Sequence, residues 1–261
     1  MMRRGPHYRP GRSLVTGASS GIGAEFARAL AARGSDLVLV ARREERLTAL
    51  AEELEQKHGI RCRTVVWDLS EKSSGRRLRE LVPERIDLVV NNAGFAVQGP
   101  FADGDADDFE RLVAVDIRAV VDICSAFLPD MIDRRDGTIV NVASTTAFQP
   151  VPSLAVYAAA KAFVLSFSQS LWYESAKNGV RVFALNPGPT RTEFFDVIGD
   201  SAAATGTYQT PNEVVDTAMR ALDARRSPPQ VISGRRNTVQ AIAAGLVPAR
   251  ILLPALARML H

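Results

Sequence analysis

Hydrophobic positions along the 261-residue chain fall into two alternating patterns. Short, nearly continuous apolar runs at Ser13–Val15, Leu37–Val40, Thr64–Trp67, Leu88–Val90, Thr138–Val142, Val180–Leu185 and Val231–Ser233 read as buried strands. Between them, apolar residues recur at three- and four-residue spacing. Phe26, Ala27, Leu30 and Ala31 share one face of a helix that ends at Gly34. Leu47, Leu50, Ala51 and Leu54 stripe a helix over Glu44–Lys57, stopped at Gly59. A poorer pattern covers Ser73–Leu81. Long helices are predicted from about Asp107 to Met131 and from about Val156 to Lys177, the second ended by Gly179. Thr210-Pro211-Asn212-Glu213 is a capping box with proline at the first helical position, opening a helix to about Ala224.

Continuous apolar strands alternating with amphipathic helices predict an α/β fold: a single-domain, doubly wound parallel sheet, Rossmann-like, with helices on both faces. Such sheets bind ligands at the carboxyl ends of their strands. The glycine-rich TGASSGIG (Thr16–Gly23), Asn91–Gly94, Ser144 and Pro187–Thr190 all follow strands, so one rim collects them. The chain divides into a flexible basic arm (residues 1–11), the sheet domain (12–235) and an apolar, helical C-terminal extension (236–261).

Tyr157 and Lys161 are four apart on the second long helix, hence one turn apart on one face. Tyrosine ordinarily titrates near ~10, too high for proton exchange at neutral pH. An ammonium ~4 Å away is worth ~4 kcal/mol at an effective dielectric of ~20, enough to lower that value by about three units. A serine hydroxyl, Ser144, placed nearby would hold a carbonyl oxygen against the tyrosine. This is a proton-transfer site for a carbonyl/alcohol pair that needs a hydride source.

The glycine-rich turn points to that source, because it follows a strand and opens a helix. Gly17, Ser19, Ser20, Gly21, Ile22 and Gly23 are its binding loop. Gly17 and Gly21 allow the tight turn, Gly23 allows close packing, and the helix N-terminus favours a pyrophosphate. At the end of the second strand, where an acidic residue would bind a ribose 2′-hydroxyl, the chain has Ala41-Arg42-Arg43. Arginine binds phosphate in a charge-assisted, bidentate way, so NADP(H) is predicted over NAD(H), with Arg42 as the phosphate ligand. Arg43 is read as a solvated helix start paired locally with Glu44 and Glu45. Asp68 either accepts from the adenine amino group or caps a turn.

Composition removes other classes. The net charge is only +3, and arginines 3, 4, 9 and 12 concentrate part of it in the N-terminal arm. No basic stripe interleaved with aromatics points to nucleic acid. Cys62 and Cys124 have neither metal-ligand nor redox spacing and read as buried thiols. His7, His58 and His261 offer no catalytic base or metal ligand. No signal peptide and no membrane-length apolar run is evident, which predicts a cytoplasmic protein.

Taken in order, TGASSGIG, Asp68-Leu69, NNAG at 91–94, Ser144, Tyr157-x-x-x-Lys161 and Pro187-Gly188-Pro189-Thr190 resemble the short-chain dehydrogenase/reductase family over roughly residues 12–235. ARREERL at 41–47 and YAAAKAFVLSFSQSL at 157–171 look like an NADP-dependent ketone-reductase branch that includes hydroxysteroid dehydrogenases and ketoacyl reductases. The resemblance implies that Tyr157 is the general acid/base, that Ser144 binds the reacting oxygen, and that Lys161 holds the nicotinamide ribose and lowers the tyrosine's pKa. It places Thr190 on the carboxamide, Pro187 and Gly188 along the nicotinamide, and Asn92 and Gly94 beside the adenosine ribose. One position departs. Where many members carry an asparagine that completes a proton relay, this chain aligns Asp116. Buried beside Lys161, Asp116 would favour the protonated lysine and change the relay's pH dependence.

Residues 192–207 carry Phe194, Phe195, Val197 and Ile198 and read as an apolar lid or as packing residues, with Thr145, Phe148 and Val151 lining the same pocket. The expected substrate is an apolar ketone or alcohol. The run Leu246–Leu260, broken by Pro248 and Pro254, either covers the sheet edge, joins subunits of a homodimer or homotetramer, or makes peripheral membrane contact. The rival reading is a nucleotide-binding regulatory or scaffold protein with weak catalysis, motivated by Asp116. An epimerase or dehydratase fits less well, for want of a substrate-binding addition.

Overall fold

Leu14 and Val15, Val38 and Leu39, Val89 and Val90, Ile139 and Val140, and Val182 and Phe183 are neighbours in the chain whose side chains enter opposite hydrophobic cores. That is the period of two in a strand buried on both faces. The computed structural model describes residues 7–194, 208–244 and 247–260. Within them, β1 (Arg12–Thr16), β2 (Asp36–Ala41), β3 (Cys62–Val66), β4 (Leu88–Asn91), β5 (Gly137–Val142), β6 (Val180–Asn186) and β7 (Gln230–Ile232) form one parallel sheet. The order is β3-β2-β1-β4-β5-β6-β7. The chain winds outward from β1 one way and from β4 the other, so the reversal lies between β1 and β4, where ligands bind in such sheets.

On one face, α1 (Gly21–Ala31), α2 (Glu44–His58) and α7 (Pro211–Leu222) pack Phe26, Leu30, Leu47, Leu54 and Val214 onto the strands. On the other, α3 (Ser74–Leu81), α5 (Ala119–Asp133) and α6 (Ala155–Ala176) contribute Leu78, Ile123, Phe127 and Val164. α3 approaches α5 so closely that a Cβ at Gly75 would collide with the Asp122 carbonyl. α4 (Ala106–Val113), α8 (Arg235–Ala244) and α9 (Ala249–Leu260) complete the helices named here.

Two local readings change. The long helix expected over 107–131 is interrupted: α4 and α5 are joined by a π-helical turn, Ala114–Arg118, with Asp116 at its centre. The C-terminal run begins a helix just after Pro248 and continues through Pro254. α8, at the start of the region expected as a helical extension, lies beyond β7 and buries Asn237 and Ala241. No helix among the described residues is long and apolar enough to cross a membrane.

Candidate active site

Tyr157 and Lys161 sit in the first two turns of α6, both buried, on a cavity of about 420 Å³ that runs along the carboxyl ends of the strands. Ser144 follows β5 on the same wall. Its Oγ accepts from the Thr146 N–H at 3.1 Å, which fixes the start of the next turn. The rotation of α6 is set by a buried polar chain. Asn91 donates to Asn141 at 2.8 Å, Asn141 to Ser168 at 2.9 Å, and Ser168 to the Val164 carbonyl at 2.6 Å. β4, β5 and α6 are thereby pinned together two turns below Lys161.

Lys161 Nζ donates to the Val142 carbonyl at 3.3 Å and lies 2.8 Å from Asp116 Oδ2. Asp116 is fully buried, and its Oδ1 accepts from the Phe95 N–H at 3.1 Å. Gly94 leaves room for this pair: a Cβ there would stand 2.8 Å from Asp116 Oδ2 and 3.0 Å from Lys161 Nζ. Burial lowers the Lys161 pKa, but Asp116 and Tyr157 outweigh it and the net shift is upward. For Tyr157 the expected lowering is reversed. Burial pushes its pKa above the ordinary tyrosine value; Lys161 pulls down, Asp116 pushes up, and the Ser144 hydroxyl pulls down less. Burial, which outweighs the attraction of Lys161, is not legible from the Tyr157–Lys161 spacing alone.

The rest of the rim comes from the turn after β1. Gly17 and Gly21 have left-handed φ of 64° and 54°, open to glycine alone at low cost. Asn92 braces the turn, donating from Nδ2 to the Thr16 carbonyl at 3.0 Å and from its backbone N–H to the Thr16 hydroxyl oxygen at 2.9 Å. A Cβ at Gly17 would meet Asn92 Nδ2 at 2.8 Å, and one at Gly23 would collide with the Gly17 carbonyl. Ser19, Ser20 and Ile22 line the cavity with them.

Residues 12–202 match the family model described as short chain dehydrogenase. The chain belongs to the short-chain dehydrogenase family. Sulfoacetaldehyde reductase 2 of Chromohalobacter salexigens is 39% identical over 214 residues, covering 78% of this chain and 84% of the relative. The structure of a short-chain dehydrogenase from Sphingobium yanoikuyae in complex with NADPH superposes with a TM-score of 0.79 at 34% identity, covering 91% of this chain and 96% of that one. A bulky-bulky ketone specific alcohol dehydrogenase from Comamonas testosteroni gives a TM-score of 0.76 at 32% identity, covering 91% and 94%. The protein is therefore an oxidoreductase of a family that binds a nicotinamide cofactor.

The residues of this short-chain dehydrogenase fit such a cofactor. The tight glycine turn opens α1, and the cavity extends from it past Asp68, Asn92 and Gly94 to Tyr157, Pro187, Gly188 and Thr190. Thr190 Oγ1 donates to the Gly188 carbonyl at 2.8 Å, and Gly188 lies so close to Asn237 of α8 that a Cβ would collide. Asp68 accepts from the Ser70 N–H at 2.9 Å, so it caps a turn while also facing the cavity. Arg42 follows β2 with its Nη1 3.9 Å from Asp68 Oδ2 and most of its side chain exposed. Arg43 does not pair with Glu44 or Glu45. It donates to Ser20 Oγ at 2.7 Å and to Ser19 Oγ at 3.0 Å, and lies 2.7 Å from Glu193.

On the substrate side, the Phe194 ring centre is 5.4 Å from that of Tyr157, and Leu154 and Thr145 share the cavity. Phe148 and Val151 do not. The short helical turn Thr145–Phe148 carries them to a separate cavity of about 530 Å³ beside Leu253. Phe195, Val197 and Ile198 lie outside the described residues. Thr16, Glu193 and Asn237 escaped sequence reasoning, since each acts through partners distant in the chain. No cluster of metal ligands occurs among the described residues.

Proposed function

We propose that this short-chain dehydrogenase transfers a hydride between NADP(H) and the carbonyl/alcohol carbon of an apolar substrate, as a carbonyl reductase or alcohol dehydrogenase. The carrying observation is the buried Ser144–Tyr157–Lys161 set on the same cavity as the glycine-rich turn and Arg42. The cofactor, when bound, supplies or accepts the hydride. Tyr157 Oη gives the carbonyl oxygen a proton in reduction and takes one in oxidation. Ser144 Oγ donates a hydrogen bond to that oxygen. Lys161 carries a positive charge beside the phenol, secured by Asp116.

An upward-shifted Tyr157 is a neutral phenol at physiological pH, which is the form reduction needs. Arg42 and Arg43 after β2 supply positive charge where NAD-preferring sites place an acid. The NADPH complex of the Sphingobium relative agrees with that reading. Phe194 and Leu154 favour an apolar group next to the reacting carbon, and the Comamonas enzyme is named for its specificity for bulky-bulky ketones.

A turnover screen with NADPH and NADH against steroid, ketoacyl and small aliphatic or aromatic ketones tests the assignment. Tyr157→Phe is expected to lose most turnover, about 10²–10⁴-fold for a lost acid/base, while NADPH binding survives. Unaltered turnover in that variant refutes the role of Tyr157. A clear NADH preference refutes the cofactor reading.

A further inference from the structure

The Glu193 carboxylate lies at the mouth of the cofactor cavity and is shared by two guanidiniums. Its Oε2 is 2.7 Å from Arg43 Nη1, and its Oε1 pairs with Arg46. Arg43 is also held to the glycine-rich turn through Ser19 and Ser20. The segment bearing Glu193 is seated on that turn, because a Cβ at Gly21 would stand 2.9 Å from Thr192 Cγ2. Arg43 is the second residue after β2, at the position where α/β cofactor sites recognise the ribose 2′ substituent. One anion therefore already occupies Arg43, which lines the cavity next to Arg42, with Arg46 of α2 on its other oxygen.

We propose that Glu193 is a specificity-determining residue of the cofactor site, an internal counter-anion that a ribose 2′-phosphate must displace from Arg43 and Arg46. The proposal rests on the NADP(H) reading above. A phosphate monoester carries about −1.5 to −2 charge at neutral pH and three acceptor oxygens, so it outcompetes a single carboxylate for two guanidiniums. A 2′-hydroxyl is neutral and leaves the Glu193 pairs intact. Glu193 thus weakens binding of phosphorylated cofactor selectively, and its removal strengthens it.

The test is calorimetric binding of 2′,5′-ADP and 5′-AMP to the full chain and to Glu193→Gln, with Glu193→Ala as a second variant. Both pairs are solvent-exposed, so the expected gain in 2′,5′-ADP affinity on substitution is about two- to tenfold. Affinity for 5′-AMP stays unchanged. Unchanged or weaker 2′,5′-ADP binding in both variants, with the unsubstituted protein still preferring 2′,5′-ADP, overturns the role of Glu193 alone. Equal strengthening of both nucleotides overturns it too, since the effect would not be that of a phosphate competitor. An unsubstituted protein that prefers 5′-AMP overturns the NADP(H) reading and this proposal with it.

Discussion

Asp116→Asn removes one charge from beside the proposed proton donor while keeping the side chain's shape. The carboxylate is fully buried, 2.8 Å from Lys161 Nζ, and it pushes the Tyr157 pKa upward. Lys161 Nζ stands 5.5 Å from the centre of the Tyr157 ring. At that separation and an effective dielectric of ~20, a unit charge is worth about 3 kcal/mol, or about two pKa units. In the native site Asp116 cancels much of that attraction. Without the carboxylate the phenolate is opposed by one negative charge fewer, and the Tyr157 titration falls. Tyr157 remains beside Lys161 and still favours its charged form once the carboxylate is gone. The assay is the ultraviolet phenolate titration, read as the difference between each protein and its own Tyr157→Phe counterpart, which isolates Tyr157 and needs no substrate. The expected shift is acidic. An unchanged or alkaline-shifted titration refutes the counter-charge argument.

Gly94→Ala puts a methyl group against both members of the Asp116–Lys161 pair, at 2.8 and 3.0 Å. It is expected to destabilise by about 1–3 kcal/mol, lowering the thermal midpoint by several degrees, with turnover falling alongside; a melt indistinguishable from the native one contradicts the close approach. Thr210→Ala removes the N-cap of α7, whose hydroxyl accepts from the Glu213 N–H at 3.3 Å. A loss of about 1 kcal/mol is expected in a denaturation curve, with cofactor affinity unchanged.

What the sequence made legible is what depends on near neighbours. The strands are continuous apolar runs, and their alternation with Leu47-type helical stripes leads directly to the sheet and its rim. The rim motifs each follow a strand, so topology alone brings the glycine-rich turn, Asn92, Ser144 and Pro187–Thr190 to one cavity. Arg43 was misread because Glu44 and Glu45 are adjacent in the chain, whereas Glu193 is 150 positions away. Phe148 and Val151 follow Ser144 in sequence, but the turn between them leads away from the site. α8 falls in the extension expected to be helical, but it buries only Asn237 and Ala241, too little for an apolar stripe that would set its bounds.

The π-helical turn is the most instructive of these differences. Residues 107–131 carry a helical pattern throughout, and nothing local marks Ala114–Arg118 as distinct. The turn places Asp116 inward, where its carboxylate meets the Phe95 N–H on one oxygen and Lys161 on the other. Both partners belong to other elements, and Gly94 is the residue whose missing side chain admits the pair. Asn91–Gly94, the π-turn and the first turns of α6 therefore act as one unit. Its charges also balance. A lone buried ammonium would favour its neutral form, but with Asp116 beside it Lys161 is held protonated. Lysine and aspartate together are neutral, so Tyr157 meets little net field and burial decides its state, leaving the phenol protonated. Aspartate at position 116 thus leaves Tyr157 a phenol rather than a readily formed phenolate, the form that the proposed proton-donor role uses.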